Sequence, residues 1–514
     1  MQLGFVIDHS RCIGCHACTV ACKAENDVPL GSFRTWVKYT EEGRFPQVKR
    51  SFAVLRCNQC TDAPCVRICP VRALEKRPDG IVDVDPAACI GCKACMQACP
   101  YDALYLNDST GTAEKCHFCA HRVEVGLAPA CAVVCPTEAI IPGDFHDPGS
   151  AVSRMVKTND LEARKLEAGT GPNVWYHEAS ESAIDPLETN AADGYLWANQ
   201  LGGARLDADR FLATYESAVD KARARTTYDV EKPQHWGWKV SAYLFTKSLA
   251  AGIFMVLALL LPPLVPGPAP VPRATLGLSL AAFAFLMLTT VLLIADLKRP
   301  TRFLYIVLRP NISSWLTRGA YILIAYGAVL TVWIAMLIRP FGPEGLPLVA
   351  LGGGVLLAVL SACYTGWLFS QSSGRVLWMQ RGLWLHLIVQ AFIAGAAFTL
   401  LLDPVIALPM TSIDLLRWCL VLALTVHLLY LVTEAHMNPA GRVEEYRRAV
   451  KLITRGPFAR RRYLWGVIAG ILVPAALLVT DLPGLWLVAA VLALSGLYIE
   501  EDTLVRAGQA LPIS

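Results

Sequence analysis

Sixteen of the chain's 18 cysteines fall between Cys12 and Cys135, and their spacing is that of iron ligands. Cys12, Cys15, Cys18 and Cys22 are separated by two, two and three residues. Cys89, Cys92, Cys95 and Cys99 repeat this spacing, and Pro100 follows the last. C-x2-C-x2-C-x3-C-P is a run that holds [4Fe–4S] clusters, although Lys23 replaces the proline in the first copy. Two degenerate runs complete the set. Cys57, Cys60, Cys65 and Cys69 are spaced two, four and three; Cys116, Cys119, Cys131 and Cys135 are spaced two, eleven and three. Prolines 70 and 136 follow them.

A short C-x2-C-x2-C loop wraps three thiolates around one cubane. The fourth cysteine follows on a helical turn and points away, so in two-cluster ferredoxins it ligates the partner cluster. Four runs of four predict four [4Fe–4S] clusters with no cysteine left over. The words CIGCHACTVAC and CIGCKACMQAC mark an internal duplication. Zinc ribbons and structural disulfides are the alternatives, and four complete quartets weigh against both. His16, His117 and His121 lie among the ligands, and with the cysteine count complete they read as hydrogen-bonded or solvated tuners.

These residues need a scaffold. Residues 33–56 predict a hairpin inserted between the first two runs. Residues 71–84 and 101–106 read as short strands between motifs, and 169–180 as a last strand. Residues 181–232 are polar, with one predicted helix over 207–225, and read as a tether. The opening stretch MQLGFVIDHSRC lacks an apolar h-region, so no signal peptide is expected.

The rest of the chain is different in kind. Overall, 54% of the 514 residues are hydrophobic and 17% charged, and the mean hydropathy is +0.42. Soluble domains carry about 25% charged residues, so disorder and a single water-soluble enzyme fold are excluded. Residues 1–234 hold 25 Lys and Arg against 31 Asp and Glu; residues 235–514 hold 21 against 11. Eight apolar stretches are predicted to span a membrane, at 241–262, 274–295, 318–338, 346–370, 382–402, 414–433, 463–480 and 484–500. The fold class expected is an α+β four-cluster ferredoxin-like domain followed by an all-α domain of eight transmembrane helices. The domains are 1–180, a linker or partner-contact segment 181–234, and 235–514.

An even number of spans puts both termini on one side. Sixteen Lys and Arg flank the spans there, among them Lys298, Arg299, Arg302, Arg375, Arg381, Arg442, Arg462 and Arg506. Arg273, Arg339 and Arg417 lie opposite. The positive-inside rule places the cysteine-rich head on the cytoplasmic side of the inner membrane. Topology and anionic lipid account for the basic loops, and no nucleic acid is implied.

Ionisable residues at membrane depth are costly and mark function. Lys247 lies one turn from Tyr243, Asp296 ends the second stretch, and Tyr364 lies deep in the fourth. His386 and Gln390 share a face of the fifth; His427, Tyr430 and Glu434 share a face of the sixth. Such a cluster facing an electron source suits a quinone, whose reduction takes two electrons and two protons. Bland readings compete: Asp296 pairing with Lys298 or Arg299, Lys247 snorkelling, His427 and Tyr430 joining helices. Haem axial ligation by His386 and His427 is the competing cofactor reading, and no haem is expected. Asp403, Asp414 and Asp481 read as far-rim residues facing water.

The head resembles the four-cluster ferredoxin subunit of the molybdopterin oxidoreductases, the dimethyl sulfoxide, polysulfide and nitrate reductases; all sixteen cysteines match. The body resembles the NrfD-like, polysulfide-reductase type quinol-interacting subunit. The matching words are HWGWKVSAYLFTKSLAAG (235–252), DLKRPTRFLYIVLRPNISSW (296–315) and CYTGWLF (363–369). The resemblance implies crossed cluster pairing. One cluster takes Cys12, Cys15, Cys18 and Cys135, and its partner Cys116, Cys119, Cys131 and Cys22. A third takes Cys57, Cys60, Cys65 and Cys99, and the fourth Cys89, Cys92, Cys95 and Cys69. It implies a quinone pocket at Asp296, Tyr364 and His235, to which Lys247, His386 and Glu434 are added from the membrane-depth reading. It also implies ubiquinone or menaquinone as membrane substrate and a large molybdopterin-type catalytic partner. Two departures stand out: the subunits are usually separate chains, and small residues usually occupy the Lys247–Ser248 positions. Many relatives face outward; cytoplasmic ones include sulfite-oxidising complexes. The function expected is an electron-transfer and membrane-anchor subunit. The rivals are the same wire serving a hydrogenase or a formate- or thiol-oxidising chain, and an ion-translocating module of a larger respiratory assembly.

Overall fold

A computed structural model describes residues 1–44, 46–190, 224–261, 272–340, 342–343, 346–480 and 482–514. The described residues divide into two compact units. One comprises Met1–His235 with Ser372–Gly374 and Pro512–Ser514; the other comprises Trp236–Gln371 and Arg375–Leu511.

Twelve strands organise the first unit: β1 (Leu3–Asp8), β2 (Thr35–Arg44), β3 (Gln47–Arg56), β4 (Leu74–Lys76), β5 (Val82–Val84), β6 (Leu104–Asn107), β7 (Thr112–Lys115), β8 (Ile140–Asp144), β9 (Leu161–Glu162), β10 (Val174–His177), β11 (Thr189–Asn190) and β12 (Ala224–Tyr228). The predicted hairpin over 33–56 is β2–β3, in register from Thr35 opposite Arg56 to Arg44 opposite Gln47. It lies in a sheet of order β11-β12-β2-β3, and a second sheet has the order β8-β1-β10-β9. β4–β5 and β6–β7 are separate two-stranded ribbons that space the cysteine runs. β1 is buried along its whole length, because Phe5 and Ile7 join Val37, Val54 and Tyr176 in one apolar core.

Most of the predicted helix over 207–225 lies outside the described residues. Its last two residues do not continue a helix; they begin β12, where Ala224 pairs with Glu42 and Arg225 with Glu41. Arg225 also donates to the Glu41 carboxylate, with Nε at 3.2 Å. A strand paired on both sides, with a matched ion pair, overrides local helical preference.

Short helices carry cysteines from each run: α1 (Ala17–Glu25), α2 (Pro64–Ile68), α3 (Ala94–Ala98) and α4 (Ala130–Val133). The duplicated words adopt matching backbones. Gly14 and Gly91 have φ of 70° and 68°, and His16 and Lys93 have φ of 60° and 64°. These left-handed residues bend the chain back around a centre, which an extended strand or helix cannot do.

The second unit contains eight helices long and apolar enough to cross a membrane: Trp238–Leu260, Arg273–Asp296, Trp315–Ile338, Leu346–Gln371, Leu383–Ile406, Met410–His436, Arg461–Leu478 and Gly484–Gly508. The first and fifth are the most enclosed, with 83% and 61% of their apolar windows buried against at most 44% elsewhere, so they form the centre. Small residues allow their approach. A Cβ at Gly252 would overlap the Ala391 carbonyl, and one at Gly395 would overlap Gly252. The eighth helix runs well past the predicted boundary at residue 500, and this carries three acidic residues into the bundle.

Candidate functional site

The first unit gathers its cysteine thiols into four groups, and each draws its fourth member from another run. Cys12 is acted on by the charges of Cys135 and Cys15, and Cys18 by those of Cys131 and Cys12. Cys22 leaves its own run to sit among Cys116, Cys131 and Cys119. Cys60 lies among Cys57, Cys99 and Cys65. Cys92 lies beside Cys69 and Cys89, and Cys95 beside Cys92, Cys89 and Cys69. The groups also lie within electrostatic reach of one another in series: Cys18 feels Cys131, Cys116 feels Cys57, and Cys65 feels Cys69.

The donor chemistry fits iron–sulfur clusters. All eighteen cysteines are free thiols. Among the described residues, no three His, Cys, Asp or Glu side chains converge tightly enough to hold a single metal ion; a cubane spreads its thiolates over a wider polyhedron. A space of about 320 Å³, partly open to solvent, is lined by Cys12, Cys15, Cys18 and Cys135. Another of about 280 Å³ is lined by Cys22, Cys116, Cys119 and Cys131, with Arg56. Backbone N–H groups point at sulfur: Ala73 to Cys69 at 3.2 Å, Ala139 to Cys135 at 3.2 Å and Ala113 to Cys89 at 3.5 Å. Such bonds favour the thiolate and tune a cluster's potential. Burial pushes Cys18 and Cys116 up to about 11 against the opposing pull of Arg56, so ligation must displace their protons.

The three histidines differ. His121 bonds Glu25 at 2.8 Å. His16 occupies the left-handed position before α1. His117 is pushed down to about 4, chiefly by burial, and stays neutral.

In the membrane unit the predicted polar residues separate into two clusters. In the first, Lys247 is buried rather than snorkelling. Its Nζ donates to the Ala362 carbonyl at 3.1 Å and to Thr365 Oγ1 at 2.5 Å, and lies 4.8 Å from the centre of the Tyr364 ring. Tyr243, one turn before it, lies within electrostatic reach of Tyr364, Asp296 and Glu501. Ser248 and Glu501 Oε1 are hydrogen-bonded at 3.0 Å. Asp296 is half-buried at the end of the second span.

The second cluster surrounds His386. Its ring stacks on Tyr430 at 3.7 Å and on His427 at 4.7 Å between centres. His386 Nδ1, His427 Nδ1, Gln390 Oε1 and the Tyr430 hydroxyl are buried without a hydrogen-bond partner. Glu434 is buried and pairs with Arg462 at 2.6 Å; Arg462 also lies 3.8 Å from Glu500. Glu500 and Glu501 are adjacent on the eighth helix and join the clusters. His235 is half-buried and ends the first unit.

Glu500, Glu501 and Asp502 escape sequence reasoning because three consecutive acids read as the end of a span. Here Asp502 accepts from Ser241 at 2.7 Å and pairs with Arg461 and Arg506. Arg462, counted among loop cations, is 4% exposed. Arg417 caps the seventh span, donating to the Leu478 and Thr480 carbonyls at 2.9 and 2.7 Å.

Comparison with known proteins fits both units. Residues 48–145 match the model of a 4Fe-4S dicluster domain. Residues 228–512 match the model described as polysulphide reductase, NrfD. A tetrathionate reductase subunit of Salmonella typhimurium is 44% identical over 200 residues, covering 38% of this chain and 80% of that protein. The arsenate respiratory reductase iron-sulfur subunit ArrB of a Shewanella species is 37% identical over 224 residues, covering 34% and 96%. A selenate reductase subunit of Mesobacillus selenatarsenatis is 36% identical over 209 residues, covering 34% and 72%.

Proposed function

The chain belongs to the polysulphide reductase NrfD family, whose model matches residues 228–512, and on that premise we propose that it is the electron-transfer and membrane-anchor subunit of a respiratory oxidoreductase complex. It links a catalytic subunit to the quinone pool, ubiquinone or menaquinone, in the inner membrane. The relatives carry names of tetrathionate, arsenate and selenate reductases. This supports a large molybdopterin-type catalytic partner; sulfite or another sulfur compound is the substrate class we propose for it.

One observation carries the reading: four thiol quartets within electrostatic reach of one another in series, on the same chain as a membrane bundle with buried carboxylates. When bound, the [4Fe–4S] clusters supply one-electron carriage. The chain's own residues do the rest. Cys12, Cys15, Cys18 and Cys135 hold the first cluster. Cys22, Cys116, Cys119 and Cys131 hold the second. Cys57, Cys60, Cys65 and Cys99 hold the third, and Cys69, Cys89, Cys92 and Cys95 the fourth. Burial of the second and third quartets excludes water from their ligand shells, whereas Cys15 of the first is exposed.

The quinone pocket takes Asp296, Tyr364 and Lys247, with Tyr243 and Glu501 within electrostatic reach; His235 precedes the first span in the sequence. Tyr364 and Lys247 present donors to a carbonyl oxygen, and Asp296 and Glu501 hold exchangeable protons. His386 and Glu434, in the second cluster, extend the proton-bearing groups toward Arg462 and Glu500. Loop charge supports an iron–sulfur head on the cytoplasmic side; a reporter fused after Ser514 is active in the cytoplasm on this reading. The domains on this reading are 1–180, 181–234 and 235–514, with β11 and β12 of the middle segment paired into a sheet of the first unit, and the fusion keeps wire and pocket at a high effective concentration.

The test is the large catalytic polypeptide that copurifies with the chain from its native membrane. Molybdenum or tungsten in it supports the reading; nickel assigns the wire to a hydrogenase instead.

A further inference from the structure

Arg56 ends β3 and immediately precedes Cys57, yet its side chain belongs to a different quartet. It is 1% exposed. Nη1 donates to Cys131 Sγ at 3.2 Å. The guanidinium lies 4.3 Å from the centre of the Phe5 ring, which fixes its plane. Nε and Nη2 are buried and have no partner. The same side chain lines the space enclosed by Cys22, Cys116, Cys119 and Cys131. Cys131, Cys116 and Cys18 are the charged groups acting on it, so it stands where the first and second quartets meet.

A buried guanidinium costs several kcal/mol unless an anion compensates it, and arginine does not shed its proton. Lys115 makes the contrast. It too is buried and directly precedes a cysteine, but its ammonium is engaged by the backbone carbonyls of Val82 and Cys116. Arg56 keeps the N–H groups of Nε and Nη2 for whatever fills the space.

We propose that Arg56 is a positioning residue of the electron wire, whose fixed positive charge raises the reduction potential of the cluster held by Cys22, Cys116, Cys119 and Cys131. The inference rests on the reading that the quartets hold [4Fe–4S] clusters. Reduction adds negative charge to a cluster. A desolvated cation beside it therefore stabilises the reduced state more than the oxidised one, and low-dielectric surroundings strengthen the effect. Nη1, Nε and Nη2 add donors toward sulfur, which act in the same direction.

The experiment is a redox titration of the full-length holoprotein followed by electron paramagnetic resonance, with iron and sulfide content measured on each sample. The wild type, Arg56→Lys and Arg56→Met are compared. One midpoint falls in Arg56→Met and stays near the wild-type value in Arg56→Lys, with iron content unchanged in both. If Arg56→Met loses only that cluster while Arg56→Lys keeps it at its potential, the charge is again required. Unchanged midpoints in a fully loaded Arg56→Met overturn the proposal. So do equal shifts in both variants, or loss of the cluster in both. Absence of iron from the wild type instead overturns the cluster reading itself.

Discussion

Ser248 and Glu501 are hydrogen-bonded at 3.0 Å, both buried inside the membrane unit, on the first and last of its eight spans. Glu501 Oε2 has no partner, so one carboxylate oxygen is held and the other is not, and the carboxyl lies within electrostatic reach of Lys247 and Tyr243. On the proposed function, this carboxyl supplies an exchangeable proton to the quinone pocket.

Glu501→Gln keeps the hydrogen bond and removes the exchangeable proton. Quinone-coupled electron transfer falls by about 10²-fold, within the range of positioned acid–base groups. Iron–sulfur spectra stay unchanged. Quinol formation assayed beside the spectra checks this.

Arg462→Met leaves Glu434 and Glu500 buried without their cation, at a cost of about 3–5 kcal/mol. The pair lies at 2.6 Å with both side chains about 5% exposed, so solvent cannot compensate. Thermal unfolding in detergent shows the loss. Adding Glu434→Gln restores part of it, since one uncompensated charge goes.

Cys135→Ser disturbs the cluster of the first cysteine run, because Cys135 acts on Cys12 and lines its space. Loss confined to the cluster of Cys116, Cys119 and Cys131 would refute the crossed pairing. Mössbauer or paramagnetic spectra of the variant distinguish the two.

The head loses stability in acid through His9. Burial holds its pKa at about 4, with Asp8 opposing, and both ring nitrogens are enclosed without a partner. Between the ordinary value of 6.5 and 4 the unfolded chain binds a proton that the folded one does not. Stability therefore falls as pH drops through this window, by at most about 3 kcal/mol. His9→Phe flattens the dependence, measured as melting temperature against pH.

The parts of the fold that were legible were those in which local pattern and tertiary demand agree. The cysteine spacing, the hairpin over 33–56 and the eight apolar spans all have that property. Glu500, Glu501 and Asp502 were not legible, because partners for them come from spans far away in sequence: Arg462, Ser248, Ser241 and Arg461. Arg462 was misread in the same way, as a loop cation. Arg225 left its predicted helix because Glu41 draws it into a sheet. Arg56 carried a signal, a cation directly before a cysteine, but nothing in one dimension says which quartet it reaches.

The central claim is that electrons pass between the clusters and a membrane quinone on this one chain. The full-length protein in lipid vesicles, reduced by dithionite and freed of excess reductant, is mixed with quinone while cluster absorbance is followed. The clusters reoxidise as quinol forms, and Asp296→Asn, with its iron content intact, slows the reaction severely. Clusters that stay reduced in the wild type with quinone in excess would contradict the account.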